Sequence, residues 1–181
     1  MKKLLLIATV ICMAASSNAQ FTRARLQATG LTCAMCSNAI NKALQQVPFV
    51  ASVRSDIKNS AFNIVFRQGS EIDIDALKKA VQDAGFSIGS LMITGNFAGV
   101  KVDEGKHLKL GQETFHFLDV KSQVLGSETT FTVEDKDFVT AKQFKKISSS
   151  SAMECVKSGK AGSCCEKDGV PAGTRVYHVT I

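Results

Sequence analysis

The sequence predicts an α+β protein in two parts. In residues 21–94, segments of alternating apolar residues are separated by segments whose apolar residues recur every three or four positions, which are the periods of strands and helices. In residues 95–181, short β-prone runs are punctuated by glycines. The chain has 181 residues, 45% apolar and 21% charged, the balance of a globular protein with room for one medium domain or two small ones.

Residues 1–19 have the pattern of a secretory signal peptide. Lys2 and Lys3 precede an apolar run, and small residues lead up to Ala19. An uncleaved membrane anchor is the alternative, but a run of about a dozen residues is short for a span of roughly 20. We therefore expect an exported protein, periplasmic or secreted, with no membrane span after cleavage.

Cleavage after Ala19 removes Lys2 and Lys3 and lowers the formal net charge from +6 to +4. This mild positive charge is not arranged as a basic stripe with interleaved aromatic residues. Nucleic acid is therefore not an expected partner.

The first part reads as six elements in the order strand, helix, strand, strand, helix, strand. Ile40, Leu44 and Val47 share one face of the first helix, and Pro48 stops it. Asp73 caps the second helix and Gly85 ends it. The order is the ferredoxin-like βαββαβ arrangement. The predicted strands are 21–28, 49–57, 61–66 and 86–94, and the predicted helices are 36–47 and 73–84.

The second part, residues 95–181, reads as a small all-β domain, either a barrel or a sandwich, with its boundary near Gly95 and Asn96. Residues 148–173 form a polar loop that is too long for an ordinary connection. It is either disordered or has a role for its cysteines. The predicted strands are 115–120, 129–133, 138–144 and 176–181.

Residues 30–36, Gly-Leu-Thr-Cys-Ala-Met-Cys, carry the clearest chemical signal. The thiolates of Cys33 and Cys36, two residues apart in a loop before a helix, can bind one ion from opposite sides. Thiolates select soft metals, and two sulfurs alone favour Cu(I), Ag(I) or Hg(II), whereas structural zinc takes four ligands. Gly30 relaxes the backbone at the loop entrance. The helix N-terminus should lower the pKa of the Cys36 thiol.

This loop resembles the GMTCxxC loop of the heavy-metal-associated domain of copper chaperones, copper-pump ATPases and the periplasmic mercury-binding protein. The resemblance covers residues 21–94 and implies that Cys33 and Cys36 are the metal ligands. It implies supporting roles for Gly30, Thr32 and the aromatic ring of Phe86. Leu31 stands where the family usually has a buried methionine, whose apolar space leucine can fill.

The resemblance implies a non-enzymatic protein that binds Cu(I), with Hg(II), Ag(I) or Zn(II) as other ions. It would act in metal trafficking or detoxification by thiolate exchange, docking transiently to a metal-transporting ATPase or another metal-handling protein. No Ser-His-Asp order, nucleotide loop or paired-carboxylate motif stands out.

Three alternatives remain for the Cys33–Cys36 pair. A CxxC sequence before a helix also occurs in thiol-disulfide oxidoreductases, although this loop lacks their aromatic and proline residues and the element order differs. The pair is otherwise a structural disulfide, or the site of a mercury scavenger.

Cys155, Cys164 and Cys165 lie in the polar loop. They either form a second soft-metal site, share an ion with Cys33 and Cys36, or contain a disulfide from Cys155 to one of the other two. Five cysteines remain after signal cleavage, so at least one is free, metal-bound or paired with a partner.

The three histidines of the second part are expected to be ordinary surface or half-buried residues. His116, between Phe115 and Phe117 in an alternating strand, should point away from them. The other two are His107 and His178.

Overall fold

The computed structural model describes residues 20–31 and 33–181. The predicted signal peptide and the predicted role of Thr32 lie outside the described residues. Within the described part, no helix is both long enough and apolar enough to cross a membrane.

The bounds of the elements are as follows. The strands are β1 (Gln20–Thr29), β2 (Val50–Asp56), β3 (Ala61–Phe66), β4 (Ser87–Asn96), β5 (Lys101–Val102), β6 (His107–Leu110), β7 (Glu113–Phe117), β8 (Gln123–Val124), β9 (Thr129–Val133) and β10 (Val176–Thr180). The helices are α1 (Ala34–Gln45), α2 (Ile74–Asp83), α3 (Ala141–Ser150), α4 (Glu154–Ser158) and α5 (Ser163–Glu166).

The predicted βαββαβ order of the first part is confirmed. β1 lies between β3 and β4 and is antiparallel to both, with Leu26 opposite Phe62 on one side and Leu91 on the other. Asp73 caps α2 as expected, because its carboxylate accepts a 3.0 Å hydrogen bond from the backbone N–H of Ala76.

The second part is rich in sheet as predicted, but it does not form a barrel or sandwich of its own. Across the described residues, eight strands make one sheet in the order β2-β3-β1-β4-β9-β10-β7-β6. β9 pairs with β4, placing Phe131 opposite Ile93, so the sheet continues from the first part into the second. The strands of the second part extend the sheet from the edge of β4 and do not close it into a barrel. The domain boundary near Gly95 and Asn96 stays a prediction.

The predicted strand at 138–144 is wrong, because a helix begins there. Thr140 and Gln143 form a capping box: the Thr140 side chain accepts from the backbone of Gln143, and the Gln143 side chain accepts from the backbone of Thr140. This reciprocal cap starts α3 at Ala141. The polar loop at 148–173 contains α4 and α5, so the second part is not all-β.

The two faces of the sheet carry different cores. Leu26, Ile93, Phe131 and Phe115 belong to the main core, together with the apolar faces of α1 and α2. Alternation in β7 and β10 turns every second side chain to the other face, where Val176 packs in a smaller cluster. That smaller cluster also contains buried side chains from α4, α5 and the adjoining turns: Cys155, Val156, Ala161, Cys165 and Val170.

Candidate metal centres

The CxxC loop connects β1 to α1. Gly30 has φ of +79°, in the left-handed region that favours glycine, so it supplies the turn that the sequence predicted. Leu31 is half-buried and packs against the main core, as expected for an apolar anchor of the loop.

Cys33 is the N-cap of α1. Its sulfur accepts a hydrogen bond from the backbone N–H of Cys36 at 3.3 Å and lies 2.7 Å from the sulfur of Cys36. Hydrogen bonds from the side chain and backbone of Cys36 lower the pKa of the Cys33 thiol. The helix start thus brings the sulfurs together and stabilises negative charge on one of them.

The Cys33–Cys36 pair is open to solvent. Cys33 is exposed, Cys36 is partly exposed, and Met35 between the two cysteines is 83% exposed. Within residues 20–31 and 33–181, neither cysteine belongs to a cluster of three or more metal-ligating side chains. The loop therefore offers two sulfurs to an ion, with access for an incoming ligand.

Phe86 lies just before β4. It is half-buried against the main core, and its neighbour Ser87 pairs with Thr29 at the end of β1. Phe86 is therefore at the same end of the sheet as the CxxC loop. Its supporting role there stays a prediction.

The three C-terminal cysteines converge. The sulfur of Cys164 lies 3.8 Å from that of Cys155 and 3.5 Å from that of Cys165, and all three are free thiols. Burial, together with the adjacent thiols of Cys165 and Cys164, raises the pKa of the Cys155 thiol well above its usual range.

The histidines, expected at the surface or half-buried, have fully buried side chains and form a row across the sheet. His116 on β7 faces His107 on β6 and His178 on β10. The His107 and His116 rings stack with centroids 4.7 Å apart, and His178 meets His116 edge-on at 5.3 Å. Phe115 and Phe117 belong to the main core, so His116 does point away from them. The sequence does not show this row directly, because it depends on the pairing of β7 with the distant strand β10.

Two carboxylates hold the outer histidines. Asp168 accepts from His107 Nδ1 at 2.8 Å, and Asp135 accepts from His178 Nδ1 at 2.7 Å. Burial opposes the charge on Asp168, but bonds from His107 and Lys106 lower its pKa to about 2. Burial, with His178 and His107 nearby, lowers the pKa of His116 to about 4, so its imidazole is neutral at pH 7.

The histidine row and the C-terminal cysteines meet at Cys155. Ligand atoms of His107, His116 and Cys155 all lie within 4.8 Å of one another, as do those of Cys155, Cys164 and Cys165. The structure does not bring Cys33 and Cys36 into this group. Among the described residues, no group of convergent metal-ligating atoms combines Cys33 or Cys36 with the C-terminal cysteines, so the arrangement gives no support to an ion shared between the two cysteine groups.

Comparison with known proteins identifies the first part. Residues 25–87 match the family model for the heavy-metal-associated domain. The probable copper-transporting ATPase HMA5 of Arabidopsis thaliana is 31% identical over 65 residues, and copper-transporting ATPase 1 of Rhizobium meliloti is 33% identical over 66. Each alignment covers 36% of this chain but only 6% and 8% of those relatives, so the chain spans a small part of their length.

Solved structures also match part of the chain. The CopZ metallochaperone is 22% identical with a TM-score of 0.34, over 37% of this chain and 98% of that one. A copper-binding domain from HMA7, a P-type ATPase, is 30% identical with a TM-score of 0.33, over 37% and 92%. The family model assigns the matched segment by residue number. Residues 25–87 of this chain are a heavy-metal-associated domain.

Proposed function

We propose that the protein binds one Cu(I) ion between Cys33 and Cys36 and passes it to another protein by thiolate exchange. It would act in copper trafficking or detoxification, as a binding protein rather than an enzyme. The observation that carries the proposal is the pair of sulfurs of the exposed Cys33 and the partly exposed Cys36, 2.7 Å apart at the start of α1, within a heavy-metal-associated domain.

The chemistry of the pair supports Cu(I) over harder ions. Thiolates are soft ligands. Within the described residues, no third metal-ligating side chain lies beside Cys33 and Cys36, which suits an ion that needs only two ligands. The relatives at 31% and 33% identity are named as copper-transporting ATPases.

The exposure of Cys33 supports transfer by ligand exchange. An incoming thiolate approaches Cu(I) from the solvent side and forms a third Cu–S bond, after which the bond to Cys33 breaks. A second incoming thiolate then replaces Cys36 in the same way, so the ion moves without entering water and without change of oxidation state. We propose a metal-transporting ATPase, or another metal-handling protein with a similar thiolate pair, as the recipient.

The test is an anaerobic titration of the chain from Gln20 with Cu(I) in the presence of a coloured Cu(I) chelator. The C33S/C36S variant should no longer bind the Cu(I) ion that is passed rapidly to a recipient metal-binding domain. The control variant M35A, which changes an exposed side chain of the same loop, should still bind and pass on this ion. Unchanged rapid transfer from C33S/C36S would refute the proposal. Reduction of insulin disulfides faster than by a free dithiol would instead favour an oxidoreductase.

We propose further that the protein is exported. The support is the charged start, the apolar run and the small residues that end at Ala19. Cell fractionation and N-terminal sequencing test this, and a mature protein that begins at Gln20 outside the cytoplasm is the expected result. A cytoplasmic protein that retains residues 1–19 would contradict it.

A further inference from the structure

The buried face of β6 and β7 contains two ring nitrogens that have no protein partner among the described residues. They are Nε2 of His107 and Nδ1 of His116. The His107 side chain is 0% exposed, and His116 is 2% exposed. Nε2 of His178, on the neighbouring strand, is unpartnered as well, and because a buried polar atom without a partner is costly, these nitrogens are available to a ligand.

The side chains beside these nitrogens are thiols. Cys155 and Cys165 are buried, and Cys164 is partly exposed. The sulfur of Cys164 lies 3.8 Å from the sulfur of Cys155 and 3.5 Å from the sulfur of Cys165. Sulfurs bound tetrahedrally to one ion, each about 2.3 Å from it, are about 3.8 Å apart, so the observed separations are close to those of a metal site. Thiols and imidazoles together are the donor set of thiophilic cations.

We propose that these five side chains form a second metal centre, buried and separate from the CxxC loop, for a thiophilic d¹⁰ cation such as Zn(II) or Cu(I). Cys155 is its common ligand, because it belongs to both groups of convergent donor atoms. The five candidate donors, of which a tetrahedral ion takes four, are His107, His116, Cys155, Cys164 and Cys165.

Asp168 is the positioning residue of this centre. Its Oδ2 lies 2.8 Å from His107 Nδ1, and its Oδ1 forms an ion pair with Lys106 at 2.8 Å. This contact leaves Nε2 of His107 as the ligand nitrogen and fixes the ring plane, which is how carboxylates commonly orient metal-binding histidines. Asp168 follows α5, so the segment that supplies two of the sulfurs also orients the imidazole.

The donors come from four separate elements. His107 and His116 lie on β6 and β7, Cys155 lies on α4, and the remaining two cysteines lie on α5. An ion at Cys155 would cross-link the helical segment to the sheet and stabilise the folded state over the unfolded one. This buried centre would hold its ion, in contrast to the exposed pair that exchanges one.

The proposal is tested in a C33S/C36S background, which makes it independent of the proposed copper transfer. The reduced variant is loaded anaerobically with Zn(II) or Cu(I), treated with a weak chelator, and examined by native mass spectrometry. At least one ion should remain per chain, and the melting temperature should rise on loading. Comparing the retention of Zn(II) with that of Cu(I) shows which cation the centre prefers. Two bound ions per chain would indicate that Cys155 bridges them.

Adding C155S should abolish retention, whereas adding K157Q, at an exposed position of the same helix, should not. C164S, a change at a partly exposed position, covers the case in which C155S does not fold. With Co(II) as the ion, thiolate-to-metal absorption should weaken in C164S, and D168N should shift the ligand-field bands. The proposal would be overturned if the folded, fully reduced C33S/C36S variant retained neither metal. This outcome covers the alternative in which Cys155 forms a disulfide instead of binding an ion.

Discussion

Arg175 donates from Nε to Oδ2 of Asp75 at 2.9 Å, although the two residues are 100 positions apart in the chain. The same guanidinium pairs through Nη1 with the buried carboxylate of Asp135 at 3.0 Å and lies 4.0 Å from the ring centre of Tyr177. Asp75 is on α2 and Tyr177 on β10. One half-buried cation therefore joins the heavy-metal-associated domain to the strand that completes the second part.

Replacing Arg175 should destabilise the protein substantially. R175M leaves Asp135 buried without its cation, which should lower the free energy of unfolding by roughly 3 kcal/mol in urea titrations. R23Q is the matched control, because the Arg23–Glu128 pair is exposed and its loss should cost less than about 1 kcal/mol. Equal losses in the two variants would contradict this assignment.

Glu113 should make stability fall between about pH 4.5 and pH 7. Burial raises the pKa of Glu113 to about 7, so the folded protein keeps a proton that the unfolded chain releases near pH 4.5. E113Q retains an acceptor for the backbone N–H of Ile74 and removes this titration. E113Q should match the parent in urea at pH 4 and exceed it by roughly 2 kcal/mol at pH 8, after allowance for solvent exposure. A constant difference across this range would contradict the prediction.

The cysteines should differ in their rate of alkylation. In the reduced, metal-free protein at pH 7.5, iodoacetamide should modify Cys33 first, since hydrogen bonds from Cys36 lower its pKa and it is exposed. Cys155 should react last, because burial raises its pKa and blocks access. Timed quenching and peptide mass spectrometry give the order, and denatured protein, in which the difference should vanish, is the control.

Gly95 should not tolerate a side chain. A Cβ atom there would lie 2.6 Å from the backbone oxygen of Gln20 and 2.6 Å from the Phe97 ring. G95A should therefore lower the free energy of unfolding by about 1–3 kcal/mol. G126A is the control, since nothing lies within 4 Å of its added Cβ, and thermal melts of the two should differ clearly.

Local signals predicted the first part well. The alternation of Leu26 and Ala28, the cap at Asp73 and the spacing of Cys33 and Cys36 act within a few residues, and the structure places β1, α2 and the CxxC loop accordingly. Such elements are specified by periodicity and capping, which a sequence shows directly.

The second part depends on contacts between distant residues. Nothing near Phe131 in the sequence indicates that it pairs with Ile93 and so extends the existing sheet. The Thr140–Gln143 capping box was a detectable local signal for α3, but the β-prone residues at 138–144 obscured it. The approach of His107 and His116 to Cys155 requires both the strand register and the fold of α4.

The position of β10 imposes an order of assembly during synthesis. β10 follows every other described strand in the chain, yet it lies between β9 and β7 and runs parallel to β7. Until it emerges from the ribosome, β6 and β7 have no neighbour that links them to the rest of the sheet. The CxxC loop, complete by Cys36, becomes available much earlier than the buried cluster around Cys155, so a nascent chain would acquire its two sets of sulfur ligands at different times.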